Sequence, residues 1–332
     1  MKANALNKIR GLFSILFFFS ISVNFGQFTQ EKIHFESANP FALSDIIGNL
    51  EAQESQNVYG VLTLPIDALD QEKKYPLVIG VAGSMGWRAH HLAYMEMYQK
   101  MGFATFELNS FKSRGVTSTV GSQVEVTIAT VILDAYKALE TLSAHPNIDQ
   151  DKVAITGWSL GGGVALFSAW LPVKNAITQQ HSFAAHLAFY PPCFIQPENI
   201  SFSQAPIQIL IGGADNWTPA KPCENLVNIL EDSSNVEITV YPDAHHGFDS
   251  EAAVVQNEKG YSFKDCLFTL TEEGEVLMNY LQLPMSNSWL QKLGFLFCVE
   301  RGVTIGGNPE ARKKSFPFAA AFMETHLMPG EE

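Results

Sequence analysis

Clustered positive charge is missing from this chain. Its 21 lysines and arginines are scattered among 34 aspartates and glutamates, giving a formal net charge of −13 over 332 residues. Phosphate backbones are gripped by grouped basic side chains, so nucleic-acid binding is excluded. Long acidic runs are absent too, and a dispersed negative charge favours solubility. Internal repeats and low-complexity linkers are also lacking, so residues 27–332 divide most simply into one domain. Cysteine is sparse: only Cys193, Cys223, Cys266 and Cys298 occur, and the closest two stand 30 residues apart. That spacing excludes the paired-cysteine pattern of a zinc site. No metal or organic cofactor is implied.

What is present begins with an unusual first segment. Residues 1–26 carry Lys2, Lys8 and Arg10 without an acid, followed by the apolar run "GLFSILFFFSISV". A basic start before a dozen apolar residues predicts a secretory signal peptide, with Ser22 or Gly26 as candidate cleavage positions. An uncleaved membrane anchor is the alternative, because no charge falls between Gly11 and Gln30. The segment holds no cysteine, which argues against lipidation there. Export to the periplasm or beyond places the 4 cysteines where disulfides persist. Three pairings are possible; the expected one is Cys193 with Cys223 and Cys266 with Cys298, against a reading as free buried thiols.

From Val58 onward, short β-like runs alternate with helical stretches. "VYGVLTL", "YPLVIGVAG", "FATFEL", "DKVAITG", "FAAHLAFYPP", "APIQILIGG" and "NVEITVYPD" read as strands. "HLAYMEMYQKMG", residues 123–143, "LGGGVALFSAWL" and "TPAKPCENLVNILED" read as helices, and "NSFKSRGVTSTVGS" as a loop. Such alternation requires crossovers, hence an α/β fold with a mostly parallel sheet covered on both faces. The rhythm fails at about residues 250–306, which read as an insertion. It resumes in a final helix with Asn308 as cap, Pro309 in the first turn and Pro317 as a kink.

The stretch "AITGWSLGGGVALF" carries the chemistry. Gly157-Trp158-Ser159-Leu160-Gly161 fits G-x-S-x-G, and it lies where a strand gives way to a helix. In that setting the serine sits on a strained turn, and residues two before and two after approach too closely for a Cβ. A serine hydroxyl needs a base, and in this architecture the acid and the histidine follow the serine in the chain. After Ser159 come His181, His186, His245, His246 and His326; only the pair in "DAHHGF" directly follows a strand, and the choice within it stays open on position alone. Asp215, at the end of "QILIGGAD", is the expected acid, ahead of Asp243, which would have to fold back from two residues before His245. The bland reading of Asp215 is an Asx-turn. For the oxyanion, the amide of Leu160 is one donor and that of Ser84 the other, with Met85 as alternative.

With those residues identified, the chain resembles the dienelactone hydrolase family of α/β-hydrolases. "NSFKSRGV", "NIDQDKVAITGWSLGGG", "IGGADNWTPAKPC" and "YPDAHHGFD" carry the likeness across about residues 55–250 and the last helix. The resemblance implies that the histidine before Gly-Phe, His246, is the base, that Asp215 is the acid, and that Ser84 holds the oxyanion-loop position. Two departures stand out: the enzymes that named the family use a cysteine nucleophile where Ser159 stands, and a glutamate where Gly83 stands. The expectation is therefore a serine hydrolase for a small ester or lactone, with Trp158, Met85 and Arg114 at the substrate. Arg114 has a second reading, as partner of a structural acid. His90 and His91 read as surface helix residues. A peptidase of the same fold and a non-catalytic binding protein on the same scaffold are the rival functions; the second fits poorly with an intact Ser159, Asp215 and His246.

Overall fold

The computed structural model describes residues 23–25, 28–65, 73–279 and 281–328. The expected signal segment up to Ser22, and Gly26, lie outside the described residues. Among the described residues, ten strands precede residue 250: β1 (Val23–Phe25), β2 (Phe28–Ala38), β3 (Ser55–Pro65), β4 (Tyr75–Val81), β5 (Ala104–Leu108), β6 (Ile148–Trp158), β7 (Ala185–Phe189), β8 (Ile195–Pro197), β9 (Ile207–Gly212) and β10 (Val236–Tyr241). All but β8 join one sheet in the order β1-β2-β3-β5-β4-β6-β7-β9-β10. The first three pairings, β1/β2, β2/β3 and β3/β5, are antiparallel. From β5 to β10 every pairing is parallel. Strands β7 and β9 are buried at every position, as a parallel sheet screened on both faces requires.

The crossovers run through α1 (Leu43–Asn49), α2 (Ala89–Lys100), α3 (Ser110–Ser113), α4 (Ile128–Ser143), α5 (Leu160–Phe167), α6 (Leu171–Ile177) and α7 (Ala220–Leu230). Three departures from expectation have local causes. Helix α4 begins at Ile128 rather than 123, because Thr127 caps it by accepting a hydrogen bond from the Thr130 amide. The single helix expected over "LGGGVALFSAWL" is two: α5 stops at Phe167, and Pro172 opens α6 in its first turn. Strand β2, unseen in the sequence, pairs with β3 over 11 residues; its charged "EKIHFES" hides the strand pattern because only one of its faces reaches the core.

Residues 250–306 leave the main sheet. They form β11 (Val255–Ser262), β12 (Phe268–Leu270), β13 (Val276–Leu277), α8 (Ser288–Phe295) and β14 (Glu300–Ile305), before α9 (Pro309–Leu327) returns to the main body. Strand β11 pairs with β14, while β12 lies between β13 and β8. This segment has its own apolar cluster, in which Tyr261, Phe263, Phe268, Met285 and Phe295 pack onto Phe194 and Trp217 of the main body. Cys266 and Cys298 are bonded across it, and Cys193 to Cys223 beneath it, the expected pairs. No helix among the described residues is long and apolar enough to cross a membrane.

Candidate active site

The parallel strands deliver their C-terminal ends to one rim, and Ser159, Asp215, His246, Ser84 and Met85 collect there. Ser159 follows β6 directly and holds φ 57°, ψ −114°, a region that ordinary residues avoid. The flanking glycines make this turn possible: a Cβ on Gly157 would stand 2.0 Å from the Gly161 carbonyl oxygen, and one on Gly161 2.1 Å from that of Val81. The Ser159 amide donates to the Phe189 carbonyl at 2.9 Å, which ties the turn to β7.

His246 lies five residues beyond β10, and its Nε2 is 2.9 Å from Ser159 Oγ. On its other side, Nδ1 is 2.7 Å from Asp215 Oδ2. His245 turns elsewhere, its Nδ1 lying 3.0 Å from the Ala214 carbonyl oxygen. Asp243 is exposed and does not reach the cluster. Asp215 does form the turn that was its bland reading, since Oδ1 accepts the amides of Trp217 and Thr218 at 2.8 and 2.9 Å. Both roles coexist because the two carboxylate oxygens serve different partners. The paired amides fix the carboxyl plane and leave Oδ2 aimed at the imidazole.

Sequence reasoning missed four residues here. Thr218 Oγ1 donates within reach of Asp215 Oδ2 and the Tyr190 carbonyl, and lies 3.1 Å from His246 Nδ1. The rings of Trp217 and Tyr190 hold His246 between centroid distances of 4.9 and 4.6 Å. Tyr190 Oη donates to the buried Asp249 at 3.0 Å. The available signal was "DNWTP", where a threonine three residues past an aspartate is a turn pattern.

The Leu160 amide opens α5, so helix geometry leaves it without an intrahelical acceptor. Ser84 lies in a tight turn in which the Gly86 amide donates to the Gly83 carbonyl at 2.9 Å, and the Thr119 amide to that of Ser84. Gly83 abuts the serine turn: a Cβ there would stand 2.9 Å from the Trp158 carbonyl oxygen and 3.4 Å from Ser159 Cβ. A glutamate at 83 would need this turn to be rebuilt. Residues 250–306 reach the same loop, because Gln291 Nε2 donates to the Gln123 carbonyl at 2.8 Å and Ser84 Oγ donates to Gln123 Oε1 at 3.2 Å.

Two expected substrate residues are placed elsewhere. Arg114 is buried away from Ser159: its guanidinium pairs bidentately with Asp134 at 2.7 and 3.0 Å and donates to Asn39 Oδ1 and the carbonyls of Ser110 and Ala38. With those donors engaged, it meets a structural acid and no substrate. Trp158 is fully buried on the far side of its strand, where Nε1 donates to Asp249 Oδ2 at 3.1 Å. Met85 does line a cavity at Ser159, together with His90 and His91. His91 is buried and His90 half-buried, so neither is the exposed helix residue expected. Burial holds the His91 imidazole well below its usual pKa, helped by the neighbouring His90 and Arg88 charges, and its ring stacks on Trp158 at 4.5 Å. Burial lowers His90 as well, against the pull of Asp249.

A mostly parallel sheet bearing a strained serine between close-packed glycines, with an imidazole and a carboxylate behind it, defines an α/β-hydrolase. The family model of the dienelactone hydrolase family matches residues 68–265. The chain belongs to that family. Among solved structures it is similar to "m3DLH", at 17% identity and TM-score 0.56, covering 91% of this chain and 100% of that one. A dienelactone hydrolase-like promiscuous phosphotriesterase from metagenomic libraries gives 16% identity and TM-score 0.54 over 91% of this chain and 100% of that one. A putative dienelactone hydrolase from Klebsiella pneumoniae gives 21% identity and TM-score 0.48 over 66% of this chain and 88% of that one. No match was found among curated proteins.

Proposed function

We propose that the chain is an exported serine hydrolase that cleaves a carboxylic ester or lactone through an acyl-enzyme. Ser159 Oγ attacks the carbonyl carbon while His246 Nε2 takes its proton. The oxygen that becomes negative turns toward the amides of Leu160 and Ser84, each worth about 3 kcal/mol of transition-state stabilisation. The Asp215 carboxylate keeps the proton on His246 Nδ1 and stabilises the imidazolium. That imidazolium protonates the leaving oxygen; water, activated by the same imidazole, then frees the acid from Ser159.

One observation carries this reading: the continuous chain Ser159 Oγ to His246 Nε2 at 2.9 Å and His246 Nδ1 to Asp215 Oδ2 at 2.7 Å. Gly83 and Ser159, in place of the family's glutamate and cysteine, support a general ester hydrolase over a dienelactone enzyme. Export is supported by the basic and apolar start of the sequence and by two bonded cysteine pairs. In this proposal residues 1–26 are the signal, and residues 27–332 one hydrolase domain carrying an insertion at about 250–306. The test is hydrolysis of p-nitrophenyl butyrate beside a peptide anilide, using wild type and Ser159→Ala. Ester cleavage lost in Ser159→Ala is expected; cleavage of the anilide alone would assign a peptidase, and Ser159-independent cleavage would remove the mechanism.

A further inference from the structure

Two cavities meet at Ser159. The first, of about 140 Å³, is walled by Phe167 and Ile128 of the main body, by Leu43 of α1, and by Phe263, Phe268 and Val276 of the insertion. The second, of about 520 Å³, is bordered by His246, His90, Arg88, Glu251 and Arg312. His246 borders only the second. Resting on the serine hydrolase reading above, this asymmetry orients the substrate: the leaving oxygen must receive its proton from His246 Nε2, so the alcohol portion occupies the larger, second cavity. The acyl portion is left with the first. Ser84 borders both, as a residue at the carbonyl carbon must.

The size and walls of the acyl side restrict it further. An apolar cavity of about 150 Å³ accommodates a benzene ring. Its roof is fixed in place, since Phe263 stacks on Phe194 at 4.4 Å, and Phe268 and Phe295 lie between the bonded Cys266 and Cys298. The two side-chain amides that line it are engaged, Gln123 with Ser84 Oγ and Gln291 with the Gln123 carbonyl. We propose that the insertion builds an acyl site for one six-membered ring or a chain of about six carbons, so that the substrates are esters of a hydrophobic monocyclic or medium-chain acid.

The test is kcat/KM for p-nitrophenyl acetate, butyrate, hexanoate, phenylacetate and dodecanoate, run beside fluorophosphonate labelling of Ser159. Each methylene taken from water contributes about fourfold, so hexanoate and phenylacetate should exceed acetate by tenfold or more, with a fall at dodecanoate. Val276→Trp should lower the phenylacetate-to-acetate ratio at least tenfold, and Phe268→Ala should raise the dodecanoate-to-hexanoate ratio at least fivefold. Ratios within one preparation cancel any loss of folded enzyme. A labelled Ser159 with acetate cleaved as well as hexanoate and phenylacetate overturns the acyl-site assignment while the hydrolase reading stands. An unlabelled Ser159 with no ester cleaved overturns both.

Discussion

Replacing Asp215 by Asn changes one hydrogen-bonding group in a site where each partner is known. The carboxylate receives four bonds: the Trp217 and Thr218 amides on Oδ1, and Thr218 Oγ1 and His246 Nδ1 on Oδ2. The new side chain has two orientations. Turning its oxygen toward His246 would leave an NH2 group against two buried amides, each unsatisfied donor costing about 1–3 kcal/mol. Keeping the oxygen on those amides costs neither, but then the NH2 faces His246 Nδ1, which must become an acceptor. The neutral imidazole shifts its proton to Nε2, a rearrangement open to either tautomer. Nε2–H then points at Ser159 Oγ and cannot take its proton. The second orientation wins, so the fold survives while the base is lost. The expected fall in kcat is about 10⁴, or about 5 kcal/mol in barrier. Steady-state hydrolysis of p-nitrophenyl butyrate measures it, with thermal unfolding to show an intact fold. Asp243→Asn, at an exposed position, should stay within about twofold of wild type. A loss below about 50-fold in Asp215→Asn, with activity still dependent on Ser159, would refute the tautomer argument.

Other perturbations test the frame that holds the site. Arg114→Met leaves Asp134 charged and buried, so chemical denaturation should show a loss of about 3–5 kcal/mol with KM little changed; a raised KM with unchanged stability would return Arg114 to the substrate. The paired change Cys266→Ser and Cys298→Ser opens a loop with a sequence separation of 32, and stability should drop by about 4 kcal/mol on the chain-entropy account; a drop below about 1 kcal/mol in urea titration contradicts it. Burial lowers His186 to about 4, against the pull of the Ala165 carbonyl, so the unfolded chain takes up that proton first. Its contribution is therefore complete above about pH 6.5 and lost as pH falls toward 4, on the order of 3 kcal/mol. Urea midpoints at pH 7 and pH 4.5 should converge in His186→Asn relative to wild type, and equal pH sensitivity in the two proteins would count against the assignment.

The sequence disclosed most where the cause is local. Gly157 and Gly161 were readable because two missing Cβ atoms within five residues make room for the strained serine turn. Strands β4, β7 and β9, and the second half of β6 from Val153, were readable because burial on both faces makes them largely apolar runs. Direction was harder. Trp158 adjoins Ser159, yet alternation along β6 sends it to the opposite face, where it secures Asp249. Arg114 was ambiguous because its partner Asp134 lies 20 residues on, although one aspartate inside the apolar "TVILDAY" of α4 was a signal for a buried pair. The break in rhythm at residues 250–306 was visible, but the place of this segment over the site depends on contacts between distant aromatic residues such as Phe263 and Phe194. No periodicity encodes those.

Rapid-quench mass spectrometry of the protein mixed with p-nitrophenyl hexanoate asks whether Ser159 is acylated during turnover. A hexanoyl adduct confined to the peptide bearing Ser159, forming within the first turnover and absent from His246→Ala, is the predicted result. Turnover with no covalent intermediate, or an adduct on any other residue, would contradict the account.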